Sequence, residues 1–158
     1  EGSGAFTSYK SSLKQFVAAA RAKGASVVLI NPMHRRTFDA NGKITNSHGD
    51  YPEAVRQAAK EEKVPLIDLT AMSKDLYETL GPENSGRLFK EGDGTHHNAY
   101  GAYQIAKIIV QSIRDQRLPL AKFLIKGLPK YDPKTPDAFE SFSIPASSAV
   151  AHAKPLGS

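Results

Sequence analysis

Apolar positions along the chain alternate between a helical spacing and short continuous runs. Over residues 7–23 they recur at helical intervals, which predicts an amphipathic helix. The apolar face of that helix consists of Leu13, Phe16, Val17 and Ala20. Residues 26–30 then form a short, β-branched run, which is typical of a strand buried on both faces of a parallel sheet.

A second helix and a second strand follow, and two further helices complete the pattern. Asp50 is placed to cap a helix over residues 51–62, and residues 64–69 repeat the apolar strand pattern. Thr70 is the predicted cap of the next helix, which ends near Gly81. The last helix, residues 98–117, has an apolar stripe made of Ala102, Ile105, Ala106, Ile109 and Ile113. Helices that alternate with buried strands indicate an α/β fold with a parallel sheet.

Two strands are too few for a stable parallel sheet, because both outer edges lack partners. The pattern also opens with a helix that no strand precedes. Both observations predict further strands on the N-terminal side, so that residues 1–117 are the C-terminal half of a larger domain. Residues 118–158 hold six of the ten prolines and show no period. They are predicted to form an extended arm, with Phe123, Leu124, Phe139 and Phe142 as candidate anchors.

The composition narrows the classes of function. Of the 158 residues, 40% are hydrophobic and 23% are charged, as in globular proteins. The net charge of +5 is spread along the chain without a basic run among aromatics, so nucleic acid is not an expected partner. No apolar run approaches the roughly 18 residues of a membrane span, so a membrane is not an expected partner either. The absence of cysteine excludes disulfides and thiolate metal sites.

The densest group of polar residues precedes the last helix. Asp93 stands three positions before His96, with Gly94 between them. At this spacing the chain can fold back so that the carboxylate holds one imidazole nitrogen and the other accepts a proton from a hydroxyl. The pair therefore predicts a catalytic dyad. The alternative is a capped helix start whose histidines face the solvent.

A metal site is a further hypothesis. The residues that can supply oxygen and nitrogen ligands are His34, His48, Asp50, Asp93, His96 and His97. They form no HExxH motif and no regular spacing on one helix. We therefore expect neither a metal nor another cofactor.

A long polar segment, residues 33–50, follows the first predicted strand. Ligands bind at the carboxyl edge of open α/β sheets, so its side chains are candidates for substrate binding. Arg35 and Arg36 can hold a carboxylate, although a solvated pair of surface charges is the simpler explanation. His48 closes the segment, and Tyr51 just beyond it is able to stack on a sugar ring.

Several ordered segments resemble one known family. Residues 93–96, Asp-Gly-Thr-His, followed by residues 98–102, Asn-Ala-Tyr-Gly-Ala, resemble the last conserved block of SGNH-type (GDSL-type) hydrolases. The segments at residues 24–32, 35–38, 46–52 and 64–70 are similar to bacterial rhamnogalacturonan acetylesterases. The resemblance covers residues 9–117 with few breaks.

The resemblance implies a three-layer α/β/α sandwich around a parallel sheet. It also implies a cofactor-free serine esterase that removes acetyl groups from pectic sugars. Arg35 and Arg36 favour an acidic polysaccharide as the substrate, although acetylated xylan or a small acetyl ester fits the dyad equally well. His96 matches the general base and Asp93 its orienting partner. The family's serine in a Gly-Asp-Ser turn, its oxyanion-hole glycine and its GxND asparagine do not occur here. We therefore expect the N-terminal half of the same enzyme to supply them, in an extracellular or periplasmic protein. The alternative is a non-catalytic carbohydrate-binding or scaffold module.

Overall fold

The elements of the protein follow the predicted alternation of helices and strands. The structure, a computed structural model, describes residues 4–144. Its main helices and strands are α1 Lys10–Ala22, β1 Leu29–Ile30, α2 Tyr51–Glu62, β2 Leu66–Ile67, α3 Leu69–Asn84 and α4 Ala99–Asp115. A π-helical turn, Ala5–Tyr9, leads into α1, and 3₁₀ turns lie at Ser85–Leu88, Pro119–Phe123 and Phe139–Ser141. No helix within residues 4–144 is both long and apolar enough to cross a membrane.

The sheet consists of β1 and β2, which run parallel with Leu29 opposite Leu66 and Ile30 opposite Ile67. This arrangement confirms the α/β class, although both strands are shorter than predicted. The prediction that the first strand is buried on both faces is wrong, because Ile30 is 45% exposed. Within residues 4–144, β2 is the sole strand partner of β1, so the other edge of β1 pairs with no strand there.

The first helix packs against α2 through a mixed surface. Val17 is fully buried, whereas Phe16, on the same predicted face, is 73% exposed. Lys10 and Lys14 of α1 form ion pairs with Glu61 of α2 at 2.9 and 3.0 Å. Only part of the predicted apolar face is therefore buried, and ion pairs lie beside it.

Asp50 stands at the predicted N-cap position of α2, whereas the cap of α3 differs from the predicted one. The bounds of α2 agree with the prediction, but the side chain of Asp50 makes no capping hydrogen bond. Helix α3 is capped by Asp68, which accepts a hydrogen bond from the Ala71 amide at 3.1 Å. Thr70 lies inside the helix, where its amide donates to Asn31 Oδ1 at 2.9 Å. The predicted Thr70 cap is thus wrong, since a carboxylate two residues earlier takes the role.

The hydrophobic core lies mainly between α3 and α4. The buried face of α4 consists of Tyr100, Gly101, Gln104, Ile105, Ile108 and Ser112. The predicted stripe is rotated from this face and leaves Ala102 and Ala106 exposed. Two polar side chains, Gln104 and Ser112, belong to the buried face. Gln104 accepts a hydrogen bond from the Tyr131 hydroxyl at 2.6 Å, and Ser112 donates to Ile108 O at 2.8 Å.

Residues 118–144 lie along α4 as an extended segment. Tyr131 is buried against the helix, and the Tyr100 hydroxyl donates to Asp137 O at 2.5 Å. Phe142 packs on the Tyr100 ring, with centroids 5.3 Å apart. The expected anchor Phe123 is 76% exposed, so that prediction is wrong. The remainder of the predicted arm, residues 145–158, lies outside the described residues.

A side chain at Gly101 would have no room. An ideal Cβ there would stand 2.0 Å from Leu88 O and 2.6 Å from His97 Cδ2. Gly101→Ala is therefore expected to lower the free energy of unfolding by about 1–3 kcal/mol, measured by urea denaturation. Gly86→Ala is the control, because its Cβ meets only the guanidinium of Arg36, at 3.3 Å. Equal losses in both variants would contradict the steric explanation.

Candidate active site

A paired loop in front of α4 forms the base of the site. Residues 88–90 and 96–98 run antiparallel and are joined by backbone hydrogen bonds of 3.0 Å. Residues 91–95 make the turn between them. Because α4 begins directly after this pair of segments, the turn is attached to a long, well-packed helix.

Asn98 fastens the loop to α4. Its Oδ1 accepts a hydrogen bond from the Gly101 amide at 3.0 Å, which caps the helix. Its Nδ2 donates to the carbonyl oxygens of Arg87 and Phe89 at 2.8 and 2.9 Å. One side chain therefore fixes both the start of the helix and the strand-like segment beside it.

Asp93 and His96 face each other across the turn. Asp93 Oδ2 and His96 Nδ1 are 2.6 Å apart. Asp93 Oδ1 accepts hydrogen bonds from the amides of Thr95 at 2.6 Å and His96 at 3.0 Å. These amides, followed by the His96 ring, lower the pKa of Asp93 to about 2, because they stabilise its charged form. The carboxylate thus holds Nδ1 and leaves Nε2 for proton transfer.

The two adjacent histidines point in opposite directions. The His96 side chain is 70% exposed, whereas the His97 ring is stacked on Phe89 with centroids 4.3 Å apart. His97 Nε2 lies 2.8 Å from the Tyr77 hydroxyl oxygen, and burial lowers the pKa of His97 to about 4. The Tyr77 contact has little signal in the sequence, because its partner is 20 positions away. The solvent-facing alternative holds for His96 and is wrong for His97.

The predicted substrate-binding arginines lie beside this loop. The Arg36 amide donates to Gly94 O at 2.7 Å, which places residues 33–38 next to the turn. The guanidinium of Arg36 donates to Ser85 Oγ at 3.1 Å and to Pro82 O, so it supports the neighbouring chain. Arg35 is exposed and is the better placed of the two for contact with a ligand.

His48 and Tyr51 make their contacts away from the dyad. His48 Nε2 lies 2.9 Å from Met33 O, which closes the long polar segment on itself. The Tyr51 ring packs edge-on against Tyr9 with centroids 5.0 Å apart and is 41% exposed. The structure therefore does not join these two residues to Asp93 and His96. Their predicted role in substrate binding stays a prediction.

The six candidate metal ligands do not converge. Within residues 4–144, no group of three or more histidine, aspartate or glutamate side chains is arranged to hold a metal ion. His34 is buried below the surface with its ring 6.4 Å from that of His48. The Asp93 carboxylate is occupied by the turn amides and the His96 ring.

Comparisons with known proteins identify relatives of this chain. No protein-family model matches the chain. The rhamnogalacturonan acetylesterase RhgT of Bacillus subtilis (strain 168) is 39% identical over 78% of this chain and 59% of its own length. A probable rhamnogalacturonan acetylesterase, YesY, from the same organism is 38% identical over 77% of this chain and 57% of its own length.

A third relative links the sequence to a solved structure. The esterase YxiM of Bacillus subtilis, otherwise uncharacterized, is 33% identical over 68% of this chain. The crystal structure of YxiM superposes with a TM-score of 0.66, covering 70% of this chain and 32% of that protein. The chain thus spans less than two thirds of the length of the curated relatives it matches. It belongs to the family of rhamnogalacturonan acetylesterase-like hydrolases.

Proposed function

We propose that this chain supplies the acid–base dyad of a serine-type carbohydrate acetylesterase of the SGNH (GDSL) type. The observation that carries the proposal is the 2.6 Å contact between Asp93 Oδ2 and His96 Nδ1. It fixes the imidazole so that Nε2 accepts a proton on the exposed side of the loop. Esterase names among the relatives support the same reaction class.

The nucleophilic serine and the oxyanion hole lie, in this proposal, on an N-terminal segment outside the 158 residues. The sequence has no serine in a Gly-Asp-Ser turn. The edge of β1 that lacks a strand partner within residues 4–144, together with the exposed side chains of Ile30 and Phe16, offers a surface for that segment. Its strands would extend the two-stranded sheet and complete a three-layer α/β/α sandwich.

The reaction is acyl transfer in two steps. His96 Nε2 takes the proton of the serine hydroxyl as the oxygen attacks the acetyl carbonyl carbon. The imidazolium, stabilised by the Asp93 carboxylate, then protonates the leaving sugar oxygen as the ester bond breaks. In the second step His96 deprotonates a water that attacks the acetyl-enzyme, and acetate leaves as the serine regains its proton. Backbone donors on the N-terminal segment stabilise the tetrahedral oxyanion.

The proposed substrate is an acetylated acidic polysaccharide of the rhamnogalacturonan type found in pectin. The names of two relatives specify that polymer, and the exposed Arg35 beside the dyad is suited to bind a carboxylate. A polymeric substrate of this kind places the enzyme outside the cell or in the periplasm, as a secreted protein.

Labelling with a fluorophosphonate probe tests the proposal. We expect no labelled serine on the 158-residue chain alone, because the nucleophile is elsewhere. Combined with the N-terminal segment of its own enzyme, the preparation should label one serine on that segment and release acetate from acetylated rhamnogalacturonan. Peptide mass spectrometry locates the label.

Three results would contradict this assignment. Rapid labelling of a serine within these residues would move the nucleophile into the chain. Loss of acetate release on adding EDTA would favour metal-assisted hydrolysis, since the serine mechanism needs no metal. Saturable glycan binding without label or acetate release would support the carbohydrate-binding or scaffold alternative instead.

A further inference from the structure

His97 is held from three sides, although it is not part of the proposed chemistry. Its ring stacks on Phe89 across the paired segments. Helix α4 approaches it so closely that a Cβ on Gly101 would stand 2.6 Å from Cδ2. Tyr77, which is fully buried in α3, reaches Nε2 with its hydroxyl at 2.8 Å. The loop that carries the dyad is therefore anchored to both core helices through one imidazole.

The direction of His97 decides the direction of His96. Successive side chains in an extended segment point to opposite faces, so an inward His97 obliges the neighbouring ring to point outward. Both residues carry the same side chain, and both lie within a few positions of Asp93. An imidazole released from the core at position 97 would compete with His96 for that carboxylate.

The hydrogen bond to Tyr77 is what makes the inward position of His97 favourable. A half-buried ring nitrogen without a partner has lost its hydration with nothing in return, and this favours rotation of the ring into solvent. Within residues 4–144, the Tyr77 hydroxyl has no other hydrogen-bond partner, so each group depends on the other. Tyr77 itself is fixed by edge-on packing against Phe89, with centroids 5.4 Å apart.

We propose that Tyr77 is a positioning residue for the dyad: by holding the His97 ring in the core, it keeps His96 paired with Asp93 and facing outward. The inference rests on the proposed function of His96 in proton transfer. Tyr77 touches neither His96 nor the reacting groups, and acts only through the segment that His97 anchors.

The tautomer of His96 in the 158-residue chain tests this role. Long-range ¹H–¹⁵N spectra of ¹⁵N-histidine protein show which ring nitrogen carries the proton in the neutral form. The parent should show His96 with its proton on Nδ1, because Asp93 accepts from that atom. In Tyr77→Phe we expect loss of this single-tautomer signature and a mixture of both forms at His96.

Tyr131→Phe is the matched control. It removes another buried tyrosine hydroxyl, whose partner is Gln104 at 2.6 Å, on the side of α4 covered by the arm. The melting temperature of Tyr131→Phe should fall by an amount similar to that of Tyr77→Phe, but the His96 tautomer should be unchanged. A folded Tyr77→Phe variant with His96 still protonated only on Nδ1 would overturn the positioning role.

The double variant Tyr77→Phe/His97→Phe supplies the rescue. It removes the unpaired ring nitrogen and the competing imidazole together, and the second phenylalanine stays in the apolar site. In the double variant, the proton of neutral His96 should again be found on Nδ1 alone. A folded double variant with both tautomers at His96 would count against the proposal. This comparison still applies if Tyr77→Phe alone does not fold. These spectra report the dyad in this chain whether or not the assembled protein hydrolyses esters, so the two proposals fail independently.

Discussion

Replacing His96 with alanine in the complete enzyme is expected to lower turnover by several orders of magnitude without unfolding the protein. General acid–base catalysis contributes about 10²–10⁴-fold or more, and His96 serves both steps of the proposed reaction. Its side chain is 70% exposed and its ring makes one hydrogen bond, to Asp93, so truncation leaves no cavity. The rate of acetate release from acetylated rhamnogalacturonan at saturating substrate measures the effect.

Glu91→Ala is the companion variant for this experiment. Glu91 is exposed in the same turn and should retain the parent rate, which separates loss of the imidazole from disturbance of the loop. A His96→Ala enzyme within about tenfold of the parent, a difference of only about 1.4 kcal/mol in the barrier, would show that His96 is not the base.

The parts of the molecule that follow from the sequence are those built by local contacts. The bounds of α2, Tyr51–Glu62, agree with the prediction because Pro52 and the helical spacing act within a few residues. The Asp93–His96 contact was predictable for the same reason, since three positions and a glycine suffice to bring the two side chains together. The segments that resemble the family then predicted the reaction class, ester hydrolysis.

The features that could not be predicted from the sequence depend on contacts between residues that are distant in the chain. The buried face of α4 includes Gln104, whose side-chain oxygen accepts a hydrogen bond from Tyr131, 27 positions away. Arg36 supports the chain near Ser85, 49 positions away, rather than standing ready as an isolated surface charge. Likewise, the exposure of Phe16 and Ile30 reflects which surfaces are covered, and apolar periodicity alone carries no information on that.

Exchanging Asp93 for asparagine tests the second half of the dyad with little change in shape. Turnover of the complete enzyme is expected to fall by about 10²–10⁴-fold, measured as above. An asparagine side chain can keep its oxygen on the amides of Thr95 and His96, which now hold Asp93 Oδ1. Its NH₂ group, however, would face Nδ1 of His96. The imidazole would then carry its proton on Nε2 and be unable to accept one from the serine.

The hydrogen bonds in the turn fix the charge of Asp93. The folded-state pKa of Asp93 is about 2, below its ordinary 3.8, so its contribution to stability is present above the ordinary value and is lost as the pH falls through about 2. Asp93 is thus ionised throughout the neutral pH range, and its negative charge is present wherever the rate is measured in that range. Asp93→Asn should therefore lower the rate across that whole range, whereas Asp93→Ala should in addition destabilise the turn by freeing both amides. If Asp93→Asn kept a rate close to that of the parent, Asp93 would only shape the loop. Its 2.6 Å contact with His96 would then have no part in the reaction.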